Sequence, residues 1–123
     1  MIDHVSVPVG DIAAATRFYD MLLATIGVIR LETRPATVGF GKKYPEFWIN
    51  LRDDRMTLSS GSHICFRART TDMVDAFHTA AIAAGGASDG APGLRPEHGE
   101  GYYAAFIRDP DGNRIEAVTF VGT

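Results

Sequence analysis

Two histidines stand 59 residues apart in matching contexts, His4-Val5-Ser6-Val7 and His63-Ile64-Cys65-Phe66, and a glutamate, Glu116, lies within a third apolar run, Arg114-Ile115-Glu116-Ala117. Two imidazoles and one carboxylate make a facial donor set that leaves coordination positions open. Such a set suits Fe(II), Mn(II), Zn(II) or Ni(II) bound to water or substrate oxygens. A single histidine on a strand carries little weight, because most are hydrogen-bonded or solvated. Equivalence within a repeat adds weight. The same shift of 59 carries Val5 to Ile64, Val7 to Phe66, Phe18 to Phe77, Leu23 to Ile82 and Gly27 to Gly86.

The elements that must position these residues follow from periodicity. Ile2 to Val9 alternates as a strand, with Val5, Val7 and Val9 on one face and His4, Ser6 and Pro8 on the other. Asp11 is a helix N-cap, and Ile12, Ala15, Phe18, Tyr19, Leu22, Leu23 and Ile26 recur at helical spacing up to Gly27. Strands are expected at Val28 to Glu32, Thr37 to Gly41 and Phe47 to Leu51, separated by Pro35, the Lys42-Lys43-Tyr44-Pro45 stretch and Arg52-Asp53-Asp54-Arg55. After Ser59-Ser60-Gly61 the pattern restarts. A strand covers Ser62 to Arg67, and Thr70 or Thr71 caps a helix with Met73, Val74, Phe77, Ala80, Ala81 and Ile82 as apolar positions. Gly85-Gly86 ends that helix. Residues 87–101 read mostly as loop with at most one short strand, and Tyr102 to Arg108 and Arg114 to Phe120 flank an Asp109-Pro110-Asp111-Gly112 turn. Each half reads βαβββ.

In each half one strand face meets the helix, so His4, His63 and Glu116 fall on helix-free faces. At the last strands the best match is Asn50 to Glu116, a shift of 66, which gives the second copy about seven extra residues. Trp48 shares the Asn50 face. The hairpin register sets Phe106 opposite Glu116 and Arg108 opposite Arg114, with Tyr102 and Ala104 on the Phe106 face. Trp48, Asn50, Tyr102 and Phe106 are therefore the expected substrate-lining residues, an aromatic wall for a planar or apolar ligand. The same aromatics could equally fill a dimer interface or a core. Cys65 reads as a packing residue and Arg67 as an anion contact or a solvated charge. His78 reads as structural, His98 as a residue of a loop over the site, and Arg34 and Lys42-Lys43 as solvated charges.

Length and composition exclude other classes. The 123 residues suit one domain of two modules, 1–58 and 59–123, since half-size units are marginal alone. Hydrophobic content of 46% and charged content of 22% are those of a globular protein. A net charge of −3 argues against nucleic acid, and no apolar run is long enough to span a bilayer. The opening MIDHVSVPVGD lacks the basic start and apolar core of a signal peptide, and a single cysteine excludes an intrachain disulfide. A reducing cytoplasm is the expected compartment.

The residues resemble the vicinal oxygen chelate superfamily: glyoxalase I, fosfomycin-resistance thiol transferases, extradiol dioxygenases and bleomycin-resistance proteins. The opening strand with His4, the His63-Ile64-Cys65-Phe66 start and above all Phe106-Ile107-Arg108-Asp109-Pro110-Asp111-Gly112-Asn113-Arg114-Ile115-Glu116 carry the resemblance, which covers the whole chain. It implies an α+β fold of two βαβββ modules forming a cupped mixed sheet around a metal-site cleft, helices outside. It also implies one divalent metal ion on His4, His63 and Glu116, a small-molecule substrate, and a metal-dependent lyase, isomerase or dioxygenase chemistry. Similar glyoxalases place a fourth ligand, a Glu, where Asn50 is expected, and an amide is a poorer ligand and no base. The thiol transferases need cationic side chains for phosphonate, and no basic residue follows Glu116. The alternative is a bleomycin-resistance-like protein that binds a small molecule without chemistry; a fold-only relative is a third reading. The resemblance further implies a homodimer. Modules exchanged between chains would bring His4 from one and His63 with Glu116 from the other, and the Arg52–Gly61 linker suits swapped or closed packing.

Overall fold

The structure, a computed structural model, describes residues 1–52 and 61–122. The element order is β1 (Val5–Val9), α1 (Ile12–Ala24), β2 (Ile29–Thr33), β3 (Thr37–Gly41), β4 (Pro45–Leu51), β5 (Ile64–Arg67), α2 (Thr71–Ala83), β6 (Ala87–Leu94), β7 (Tyr102–Arg108) and β8 (Arg114–Phe120). This is βαβββ twice, and the shift of 59 reproduces both ends of the helix. The Asp53-Asp54-Arg55 and Ser59-Ser60 punctuation, most of the linker and the proposed boundary at residue 58 lie outside the described residues.

Each helix forms where a cap and an apolar stripe coincide. Asp11 has extended backbone and its side chain accepts the Ala14 N–H, while Thr70 accepts the Met73 N–H. Ala15, Phe18, Tyr19, Leu22 and Leu23 are buried on α1, and Val74, Phe77 and Ala81 on α2. Gly27 ends the first helical segment at φ +78°, a conformation that favours glycine. Ile82, expected on the apolar stripe opposite Leu23 in the repeat, is 44% exposed.

Two four-stranded mixed sheets result, ordered β1-β4-β3-β2 and β5-β8-β7-β6. In each, the first strand runs parallel to the last and forms one edge. Residues 87–101 depart from the expected loop, because Ala87–Leu94 pairs with β7 as an eight-residue edge strand. Register shifts between Ser88 and Gly90 and between Gly90 and Gly93 absorb the extra residues. An edge strand tolerates Pro92 and these glycines, which a central strand would not.

The register corrects one sequence match. Val5 stands beside Phe47, and its repeat partner Ile64 stands beside Ile115. The equivalent of Glu116 is therefore Trp48, not Asn50, and the shift at the last strands is 68 rather than 66. The face is unchanged, since two residues is one full strand period.

One continuous apolar core serves both modules. It joins Val7, Val9, Phe18, Leu22, Phe40, Phe47 and Ile49 of the first to Val74, Phe77, Ala81, Ala105, Ile107, Ile115 and Ala117 of the second. The helices touch each other, and Phe47 meets Phe66 edge-on at 5.1 Å between ring centres. A polar clasp crosses the same boundary. The Tyr19 hydroxyl, on α1, donates to Asp109 Oδ2 at 2.5 Å, and Asn113 Nδ2 donates to both Asp109 Oδ2 and the Pro8 carbonyl. Asp109 Oδ1 accepts the Asp111 and Asn113 N–H groups, and Asp111 accepts the Gly10 N–H. The hairpin turn of the second module is thus fastened to the end of β1. No helix among the described residues is long and apolar enough to cross a membrane.

Candidate metal and substrate site

The candidate site falls into two groups of residues. His63 and Glu116 come together. His63 Nε2 lies 3.2 Å from Glu116 Oε1, with the histidine side chain 53% exposed and the carboxylate 3%. Neighbouring donors on an octahedral cation, with bonds of about 2.1 Å, stand about 3 Å apart, so this pair fits a cation. The same separation serves an ion pair when His63 is protonated. Glu116 is held from its other side by the Tyr102 hydroxyl, which donates to Oε2 at 2.5 Å. The Cys65 thiol interacts with both groups, and burial together with the Glu116 charge pushes it up to about 12. At neutral pH it is a thiol and not a thiolate.

His4 stands elsewhere, one residue ahead of β1 as His63 is ahead of β5. Its Nδ1 bonds Asp3 Oδ2 at 2.8 Å, and Asp3 Oδ1 accepts the Tyr44 hydroxyl at 2.8 Å. These bonds hold the Asp3 carboxyl below the usual carboxylate range. Among the described residues no bond to His4 Nε2 is made, the pattern by which a carboxylate orients a metal-binding imidazole. Among the described residues, no three His, Cys, Asp or Glu side chains gather closely enough to hold a metal. A single chain therefore assembles two of the three expected donors.

The expected lining residues divide in the same way. Trp48 and Asn50 line a cavity of about 440 Å³ with His4, Ser6, Thr37 and Tyr44. Asn50 Oδ1 is already bonded by the Thr37 hydroxyl at 2.5 Å. Trp48 lies beside Gly39, where any Cβ would meet both the indole and Pro45 Cβ at 2.8 Å, and the Arg34 guanidinium sits over the indole at 5.3 Å from its centre. Arg34 is exposed, as expected of a solvated charge, and also lies 3.5 Å from Glu32. Phe106 stands opposite Glu116 as expected and, with His63, Asp89 and Arg114, lines a smaller cavity. Arg95 stacks on Phe106 at 5.4 Å and Arg67 on Phe120 at 4.7 Å. His98 packs against Tyr102, with ring centres 5.3 Å apart, and His78 bonds Ser88 on the helix side.

Sequence reasoning did not find the Asp3–Tyr44 support, the Tyr102–Glu116 bond or the arginine stacks. It also did not find a second cavity of about 440 Å³ at the module seam, lined by Ser6, Val7 and Pro8 of β1, by His63, and by Asn113 and Arg114. The Asp3-His4 adjacency was the one visible signal. Ser6 lines both large cavities, so the His4 cavity and the seam adjoin.

Comparison with known proteins agrees with this architecture. The sequence profile of the Glyoxalase/Bleomycin resistance protein/Dioxygenase superfamily matches residues 1–117. A glyoxalase/bleomycin resistance protein from Albidiferax ferrireducens T118 is 35% identical, with 94% of this chain and 96% of that one covered and a TM-score of 0.83. At the level of fold alone, the fosfomycin resistance protein FosX from Mesorhizobium loti is similar at 18% identity, covering 100% and 92% of the two chains, TM-score 0.70. A glyoxalase I mutant from Zea mays is similar at 20% identity, with 94% of this chain and 44% of that one covered and a TM-score of 0.72. No curated protein matches the sequence. With the profile spanning nearly the whole chain and two βαβββ modules beneath it, the protein belongs to the Glyoxalase/Bleomycin resistance protein/Dioxygenase superfamily.

Proposed function

We propose that this protein is an enzyme acting on a small oxygen-bearing molecule with a divalent cation held by His4, His63 and Glu116, the set being completed between two copies of the chain. The observation that carries the reading is the His63–Glu116 pair at 3.2 Å, with the buried carboxylate fixed from behind. His4 supports it by being braced on Asp3 with one nitrogen left available. When bound, the cation supplies Lewis acidity toward two adjacent substrate oxygens and stabilises negative charge on them.

The chain's own residues do the rest. Glu116 and His63 hold fixed positions. Trp48, Phe106 and the stacked arginines offer flat apolar surface edged by positive charge, which suits a planar, oxygenated and partly anionic substrate. Neither Asn50, an amide, nor Cys65, a thiol at neutral pH, is placed to act as a base, so solvent is the expected proton acceptor. Lyase, isomerase and dioxygenase chemistries all share this requirement for a polarised oxygen pair.

The experiment is metal analysis of protein purified without chelator, combined with co-expression of His4→Ala and Glu116→Ala chains. Stoichiometric metal in the wild type, its loss in each single variant, and recovery of about one site per mixed dimer are expected. Absence of metal from the wild type refutes the reading. Small-molecule binding without chemistry is the second reading, favoured by the separation of His4 from the other two donors in one chain. Ligand affinity unchanged by chelation would select it.

A further inference from the structure

Tyr102 lies opposite Phe120 on the β7–β8 pair, whereas Glu116 lies opposite Phe106. Four residues along the strand separate the Tyr102 and Phe106 rows, and that is about 13 Å of backbone. Yet the Tyr102 hydroxyl reaches Glu116 Oε2. Its side chain must therefore run along the strands rather than stand up from them. Two residues beneath that path record it. Ala104 and Val118 face each other across the pair, lie outside the shared apolar core, and are nevertheless 0% and 6% exposed. The ring is wedged, with Phe120 edge-on at 5.5 Å and His98 at 5.3 Å.

The phenol bonds Oε2 and His63 faces Oε1, so the carboxylate is oriented from both ends. We infer that Tyr102 is a positioning residue that holds the Glu116 carboxylate in the orientation in which it faces His63; the inference rests on the metal reading above.

The test is Co(II) binding to wild type, Tyr102→Phe and, as a control, Tyr103→Phe, after removal of any resident metal. Tyr103 donates to Asp75 on the helix side, so its variant loses a comparable bond away from the site. Thermal melts establish that each variant is folded. Expected are a roughly tenfold weaker Co(II) affinity, in line with loss of an outer-shell partner, and a changed visible spectrum for Tyr102→Phe, with neither change in the control. Affinity within twofold of wild type, tighter binding, or a superimposable spectrum in Tyr102→Phe overturns the inference and leaves the metal site standing. A wild type that takes up no Co(II) overturns both.

Discussion

Replacement of Asp109 by alanine tests whether the clasp between the modules stabilises the fold. Asp109 is 4% exposed and accepts bonds from the Tyr19 hydroxyl, the Asn113 side chain and two backbone N–H groups. Alanine strands the Tyr19 hydroxyl, which is itself 0% exposed, frees one Asn113 side-chain donor, and removes the acceptor of the Asp111 and Asn113 N–H groups. Each buried unsatisfied donor costs about 1–3 kcal/mol. Part of that is offset because a buried carboxylate no longer has to be desolvated. A net loss of about 3 kcal/mol is expected, or about 10–15 °C in Tm for a domain of this size. Asp109→Asn keeps one acceptor oxygen, removes the charge and turns an amide NH2 toward the other pair of donors, so a loss smaller than that of alanine is expected. Burial raises the Asp109 carboxyl above its usual 3.8, against the hydrogen bonds that pull it down. The folded state therefore binds more protons than the unfolded state just above that pH, and this residue makes stability fall as pH rises through that window. Asp109→Asn should remove that slope. Urea melts at several pH values measure both effects. A Tyr19→Phe, Asp109→Ala cycle showing no coupling, or a loss under 1 kcal/mol for Asp109→Ala, refutes the reasoning.

Cys65, pushed up to about 12 from an ordinary 9.0, should react with a disulfide reagent slowly. Thiolate is about a thousandfold scarcer, and its greater nucleophilicity returns about twentyfold, so a rate roughly 50-fold below a free thiol is expected and Glu116→Gln should raise it. A rate equal to that of a free thiol contradicts the crowding at Glu116. Gly39→Ala should displace the Trp48 indole, the more adjustable of the two groups that its Cβ would meet at 2.8 Å, the other being Pro45. Trp48 is the single tryptophan, so its emission should shift while the circular dichroism does not. Tyr44→Phe should leave stability nearly unchanged, because its bond to Asp3 is exposed, but should lower metal content if Asp3 orients His4.

Local signals made most of the fold legible. Asp11 and Thr70 cap the expected helices, and the hairpin strands end where the Asp-Pro-Asp-Gly turn requires. The strand-four match was not legible for a physical reason. Ile49-Asn50-Leu51 and Ile115-Glu116-Ala117 share the same alternation, and a slip of two residues preserves every side-chain face. Only the pairing of β1 with β4 and of β5 with β8 decides between them. Residues 87–94 hid a strand because edge strands need backbone pairing and little side-chain pattern. The Asp109 clasp joins residues 90 apart in sequence, beyond the reach of any local rule. At the site, strand alternation made the shared face of His63 and Glu116 legible, but the separation of His4 from them was not, because that depends on how the modules pack.

The two modules nevertheless prepare their donors in comparable ways. In the first, Tyr44 donates to Asp3, which fixes His4; in the second, Tyr102 fixes Glu116 against His63. Each donor group is thus oriented within its own module, before any contact with the other. On the proposed reading, the three donors are completed when two such faces are brought together. This favours completion between chains over an induced closure within one, since the Asp109 clasp and the shared core already fix how the modules of one chain sit. Changes at Asp3, Tyr44 or Tyr102 should lower metal affinity while leaving the clasp and the shared core intact.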